Sequence, residues 1–155
     1  MCEVEDESLA GTLFMCYNKS QRRGGAVRVA PVARSREMKM KVIHYADVKA
    51  EDVEEGAKGV RIRWVITEGT GAKNFVMRHF EIAAGGYTPH HAHAWEHEVF
   101  VLEGQGVVVG GEEERGFRKG DVLFLPPGER HQFRNTGAMP LQLLCLIPTK
   151  DKCNL

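Results

Sequence analysis

The chain has 155 residues and a mass of 17.3 kDa, enough for a single core that buries roughly 70% of the unfolded surface. Lys+Arg and Asp+Glu both number 21 and the pI is near 7.1, so the basic excess needed to neutralise phosphates is absent and nucleic acid is excluded as a partner. The longest nearly apolar run, 141–147, is broken by Gln142 and falls far short of the ~20 residues of a membrane helix. The opening acids Glu3, Glu5, Asp6 and Glu7 are the wrong charge for a secretory leader. Cys2, Cys16, Cys145 and Cys153 have no CxxC spacing, which excludes a disulfide scaffold and a zinc ribbon. The expectation is a soluble globular domain of the cytoplasm with no membrane contact.

In chain order, residues 1–38 mix basic stretches (Arg22-Arg23, Arg34, Arg36) with apolar residues of no clear period. They read as a weakly ordered, irregular N-terminal arm holding at most a short strand at 26–32, closed at Pro31. Met38 or Met40 is a candidate true start. From 39 to 155 the signals are those of one domain. A short apolar-polar piece at 42–45 precedes a stretch at 47–55 with room for one helical turn before Gly56. Strands are then expected at 60–67, 74–83, through the histidines, and at 98–102, 106–109, 115–118, 122–125, 131–134 and 141–147. Gly85-Gly86, Gly110-Gly111 and Pro126-Pro127-Gly128 punctuate them, the pattern of an all-β sandwich or barrel.

Five of the 7 histidines are grouped in a way that suggests chemistry: His90, His91, His93, His97 and His131. His91 and His93 are two apart and share a face of an extended strand, His97 follows after a short span, and His131 comes from a distant strand. Three imidazoles converging on one face, joined by a fourth, suit a divalent transition metal. His90 has the opposite parity to His91, and His79 stands apart in sequence.

Gly85, five residues, His91-Ala92-His93, three residues, His97, six residues and Gly104 match the first cupin motif in spacing. Gly120, five residues, Pro126, one residue, Gly128, two residues, His131, three residues and Asn135 match the second, with fifteen residues between the motifs. Over roughly 40–148 the chain resembles the cupin family, and in particular its small single-domain, four-histidine manganese members. The resemblance implies a jelly-roll (double-stranded β-helix) barrel with His91, His93, His97 and His131 as metal ligands. The usual glutamate ligand would be Glu98 in the other register, which would put the closing glycine at Gln105; the register ending at Gly104 selects His97. Manganese comes first on resemblance, then iron; zinc, nickel and copper also accept imidazole.

Four neutral ligands would leave the ion's double positive charge uncompensated, favouring anionic ligands in its open positions. Each ring needs an acceptor for its other nitrogen, and Glu96, Glu98 and the loop carbonyls near Glu129 are candidates. The resemblance also turns Leu143, Cys145 and Ile147 of 141–147 inward together with Arg78. It implies Arg78 and Cys145 as catalytic-pocket residues, with Arg78 suiting an anionic substrate and Cys145 a small wall residue. Leu143, Ile147 and Phe133 are implied as contacts to a small-molecule substrate. Phe124 and Phe133 are core residues by default. The expected activity is a metal-dependent oxidoreductase of dioxygenase or peroxide-using type. Its alternatives are an isomerase or lyase using the metal as Lewis acid, or a binding module without turnover. Because both faces of 141–147 are apolar, a homodimer packed through its sheets is expected.

Overall fold

The computed structural model describes residues 39–149; the N-terminal arm, its strand at 26–32 and Met38 as a start lie outside them. Nine strands and two 3-10 turns account for the regular structure of the described residues. The strands are β1 (Glu51–Val53), β2 (Lys58–Ile66), β3 (Phe75–Tyr87), β4 (His97–Glu103), β5 (Gln105–Gly110), β6 (Glu113–Arg118), β7 (Val122–Leu125), β8 (His131–Asn135) and β9 (Leu141–Pro148). The all-β expectation is met. No helix among the described residues is long and apolar enough to cross a membrane.

All pairings are antiparallel, in the order β6-β5-β8-β3-β9-β4-β7, with β1 and β2 added beside β3. The order is not sequential, so the chain folds over itself and the sheet curls around one interior, as in a jelly roll. Strand alternation fixes which residues face in. Leu141, Leu143 and Cys145 of β9 are buried while Gln142, Leu144 and Leu146 between them are less so. The resulting cluster joins opposite arms of the curl: Phe117 of β6 and Phe133 of β8 share it with Val99 and Val101 of β4 and Leu125 of β7. Phe117 meets Phe133 edge-on, with ring centroids 6.2 Å apart.

The long strand β3 links the two halves. Its first eight residues pair with β9 while Tyr87 at its end pairs with Arg134 of β8. Gly86 permits the crossing, because a Cβ there would stand 2.5 Å from the Lys58 carbonyl oxygen.

Three local expectations are corrected. The piece at 42–45 is not a strand: a 3-10 turn forms at Tyr45–Asp47, where the Tyr45 ring lies 4.6 Å from that of His79. The helical turn expected in 47–55 is replaced by β1, whose Val53 pairs with Val60. A ready sheet edge at β2 outweighs weak local preference there. Phe124 is not in the core. It is 66% exposed on the edge strand β7, where alternation turns Leu125 inward instead.

Candidate metal centre

The histidine stretch is not a regular strand; residues 88–96 form a loop fastened to β8. Thr88 N–H donates to Phe133 O (3.0 Å), and Thr88 Oγ1 accepts from Phe133 N–H (2.9 Å). His91 and His131 exchange a pair of backbone bonds of 3.2 and 2.8 Å. Gly128 N–H reaches His93 O at 2.7 Å, from a turn whose φ of 80° favours glycine. Asn135 anchors the end of β8, its buried amide donating to Ile82 O (2.8 Å) and Met139 O (2.9 Å). The glycine and asparagine of the second motif therefore hold the frame that carries the histidines.

This frame brings His91, His93, His97 and His131 together, with one ligand nitrogen from each lying within 4.8 Å of all the others. His93 Nε2 and His97 Nε2 are 2.6 Å apart. His97 and His131 are buried, at 5% and 2% exposure, and His93 stacks on Trp95 at 4.2 Å with the planes 6° apart. His91 Nδ1 donates to Pro89 O (3.0 Å) and His131 Nδ1 to Glu129 O (2.8 Å), so Nε2 of each ring is left for a ligand bond. The Glu129 carbonyl was one of the acceptors expected. Glu96 and Glu98 do not serve: Glu98 is exposed on the face of β4 opposite His97.

The protonation of three of the rings suits a cation, although the Arg78 guanidinium beside His97 opposes it. Burial, then the neighbouring Arg78, holds His97 down to about 2. Burial, then His131, holds His93 to about 4, and burial lowers His131 as well. At neutral pH these rings are unprotonated bases in a compact set, the donor chemistry of a divalent transition-metal site. The same shifts predict a pH effect in chelator-stripped protein. Unfolded imidazoles protonate below about pH 6.5 while the buried ones resist, so stability is full above that pH and falls as the pH drops toward the folded values. The melting temperature is expected to fall by about 5 °C or more between pH 7 and pH 5. His131→Gln should flatten that slope in a thermal melt series.

The other candidate residues are spread differently. Arg78 stands opposite Cys145 in the β3–β9 register, and its Nη2 lies 3.0 Å from both His97 Nδ1 and Cys145 Sγ. Its guanidinium lies over Phe80 (5.1 Å) and Trp64 (5.7 Å). Cys145 is 1% exposed, and burial pushes its thiol up against the opposing pull of Arg78. Leu143, at 0% exposure, and Phe133 sit in the packed core. Ile147 lines a groove of about 370 Å³ with Phe75, Trp95, Glu96 and Pro127. A second cavity of about 930 Å³ opens between β6 and β7 over Phe117, Leu123 and Leu125 and is bordered by none of the four histidines. The groove meets the histidines through Trp95, which is stacked on His93, and the larger cavity meets them through Glu129, whose carbonyl accepts from His131. The contact of Cys145 and Arg78 with His97 was not foreseen, since register across β3, β9 and β4 cannot be read from local sequence.

Residues 78–147 match the model of the cupin domain family. The chain is 38% identical to the polyketide cyclase RemF of Streptomyces resistomycificus, with a TM-score of 0.68 over 72% of this chain and 81% of that one. It is 30% identical over 105 residues to the 1-methylthio-D-xylulose 5-phosphate methylsulfurylase of Rhodospirillum rubrum, covering 66% of this chain and 67% of that protein. An uncharacterised protein of Methanocaldococcus jannaschii matches at 34% over 65 residues, which is 41% of this chain and 52% of its own length. The glycine, histidine and asparagine spacing, the curled antiparallel sheet and these likenesses agree, and the chain belongs to the cupin superfamily.

Proposed function

We propose that the protein is a metal-dependent enzyme acting on a small organic substrate, an oxidoreductase of dioxygenase or peroxide-using type. The observation that carries this reading is the convergence of four imidazoles with no carboxylate among them, three of them held below the usual histidine range by burial. His91, His93, His97 and His131 would hold the ion, manganese or iron first, and an ion so held supplies redox or Lewis-acid chemistry at its open positions. The chain's own groups do the rest. Trp95 stacks on His93 and fixes one ligand ring, while Phe75, Trp95 and Ile147 offer an apolar wall to a substrate. Arg78 is engaged with His97 and Cys145, so binding of an anionic group rests on the ion rather than on a free guanidinium. Self-association is proposed with it, supported by Phe100, Val122 and Phe124, which are 42%, 76% and 66% exposed on one outward face of β4 and β7.

A second reading is favoured by the polyketide cyclase likeness: a ring closure or proton shift with the ion as Lewis acid only. Anaerobic and aerobic assays separate the two. Metal-loaded protein is screened against phenolic, unsaturated and polyketide-like aromatic compounds, with oxygen and peroxide consumption measured alongside product. Turnover that requires oxygen or peroxide supports the oxidoreductase. Turnover that proceeds equally without either overturns it in favour of the second reading.

A further inference from the structure

His97 differs from its neighbours in what its second nitrogen touches. Pro89 O and Glu129 O can only accept, so His91 and His131 carry their proton on Nδ1. The His97 Nδ1 contacts are instead Arg78 Nη2 at 3.0 Å and Cys145 Sγ at 3.2 Å. A guanidinium has only donors, so Arg78 competes by donating to Nδ1 itself, which would leave the proton on Nε2. Of these two contacts the sulfur alone can take a proton from His97 Nδ1. Arg78 Nη2 also lies 3.0 Å from that sulfur, and the thiol lies 3.8 Å from Leu146 O. The sulfur can thus give one hydrogen, to Leu146 O, and receive two. Cation–π contacts with Phe80 and Trp64 keep the guanidinium in place.

We propose that Cys145 Sγ is the acceptor that holds the His97 proton on Nδ1, turning Nε2 to the metal, and that Arg78 donates to the same sulfur and thereby limits it. This rests on the reading of the four rings as a metal centre. Cys145 is a positioning residue that does for the fourth ligand what backbone carbonyls do for His91 and His131. Arg78 acts in the opposite direction. It draws on the same sulfur lone pairs and places a positive charge behind a ligand of a cation. The two residues therefore set metal affinity with opposite sign. A pair of merely structural core residues would lower it together.

The test uses the full chain and Zn²⁺ as a diamagnetic probe, with affinity from competition titration and ring tautomers from ¹⁵N-imidazole NMR. In Zn²⁺-loaded wild type the His97 resonances are expected to report a proton on Nδ1. Cys145→Ala is expected to weaken Zn²⁺ binding about 10- to 100-fold and to lose that Nδ1 proton signature. Cys145→Ser, which restores an acceptor, is expected to recover most of both, and it also serves if the alanine variant folds poorly. Arg78→Met, which keeps a stem over Phe80 and Trp64, is expected to tighten binding about threefold or more. A folded Cys145→Ala with unchanged affinity and an unchanged His97 signature overturns the proposal while leaving the metal centre intact. So does weakening by Arg78→Met to the same degree as by Cys145→Ala. Zn²⁺ that shifts none of the four rings in wild type overturns the metal centre itself.

Discussion

Replacing His97 with alanine is expected to weaken Mn²⁺ or Fe²⁺ binding by at least about a hundredfold, since loss of a direct ligand should exceed the 10- to 100-fold cost of losing an outer partner. Equilibrium dialysis with elemental analysis reads this directly, and chelator-stripped wild type should take up one ion per chain. Glu98→Gln is the matched control. Its carboxylate is exposed on the opposite face of β4, so affinity should stay within about twofold of wild type. An intact affinity in His97→Ala with a collapse in Glu98→Gln would mean that the carboxylate, not the ring, completes the centre. The same loss should appear in stability. At about a hundred times Kd a bound ion adds about 2.7 kcal/mol, so metal should raise the wild-type melting temperature by about 10 °C and barely move that of His97→Ala.

Leu143→Ala should have the largest effect on stability, about 2–5 kcal/mol, with a melting temperature lower by about 10 °C or more. The side chain is completely buried, pairs across from Phe80 on β3 and Val101 on β4, and shares the cluster that joins the two arms of the curled sheet. A cavity left there cannot fill with solvent and would be lined by Val101, Leu141 and their neighbours. Metal affinity of the folded fraction should stay within about threefold, because none of the four rings leans on Leu143 for a hydrogen bond. A variant that melts within about 2 °C of wild type while losing substrate binding would instead make Leu143 a pocket wall, the role that the family resemblance implied.

Eight of the nine strands and the turn at Pro126-Pro127-Gly128 were legible in the sequence, because turn chemistry and two-residue alternation are local properties. Gly85-Gly86, expected as a break between strands, lies inside β3, and the inward facing of Leu143 and Cys145 followed from the family resemblance and not from parity. So was the set of four histidines, whose spacing to fixed glycines is a one-dimensional pattern. What local sequence could not carry was pairing. Residues 51–53 became a strand because β2 offered them an edge, and Phe124 went outward because β7 ends the sheet. The loop at 88–96 is irregular in itself and is held in place by β8, through Thr88 and His91, and by the turn before β8, through Gly128. The acceptor for His97 likewise depends on β3, β9 and β4 lying side by side, with Arg78 opposite Cys145 and Cys145 opposite Val99. The amino-acid sequence by itself determined which residues were available to bind a metal. Only the tertiary structure decided which partners hold them, because hydrogen bonds between strands far apart in sequence have no local signature.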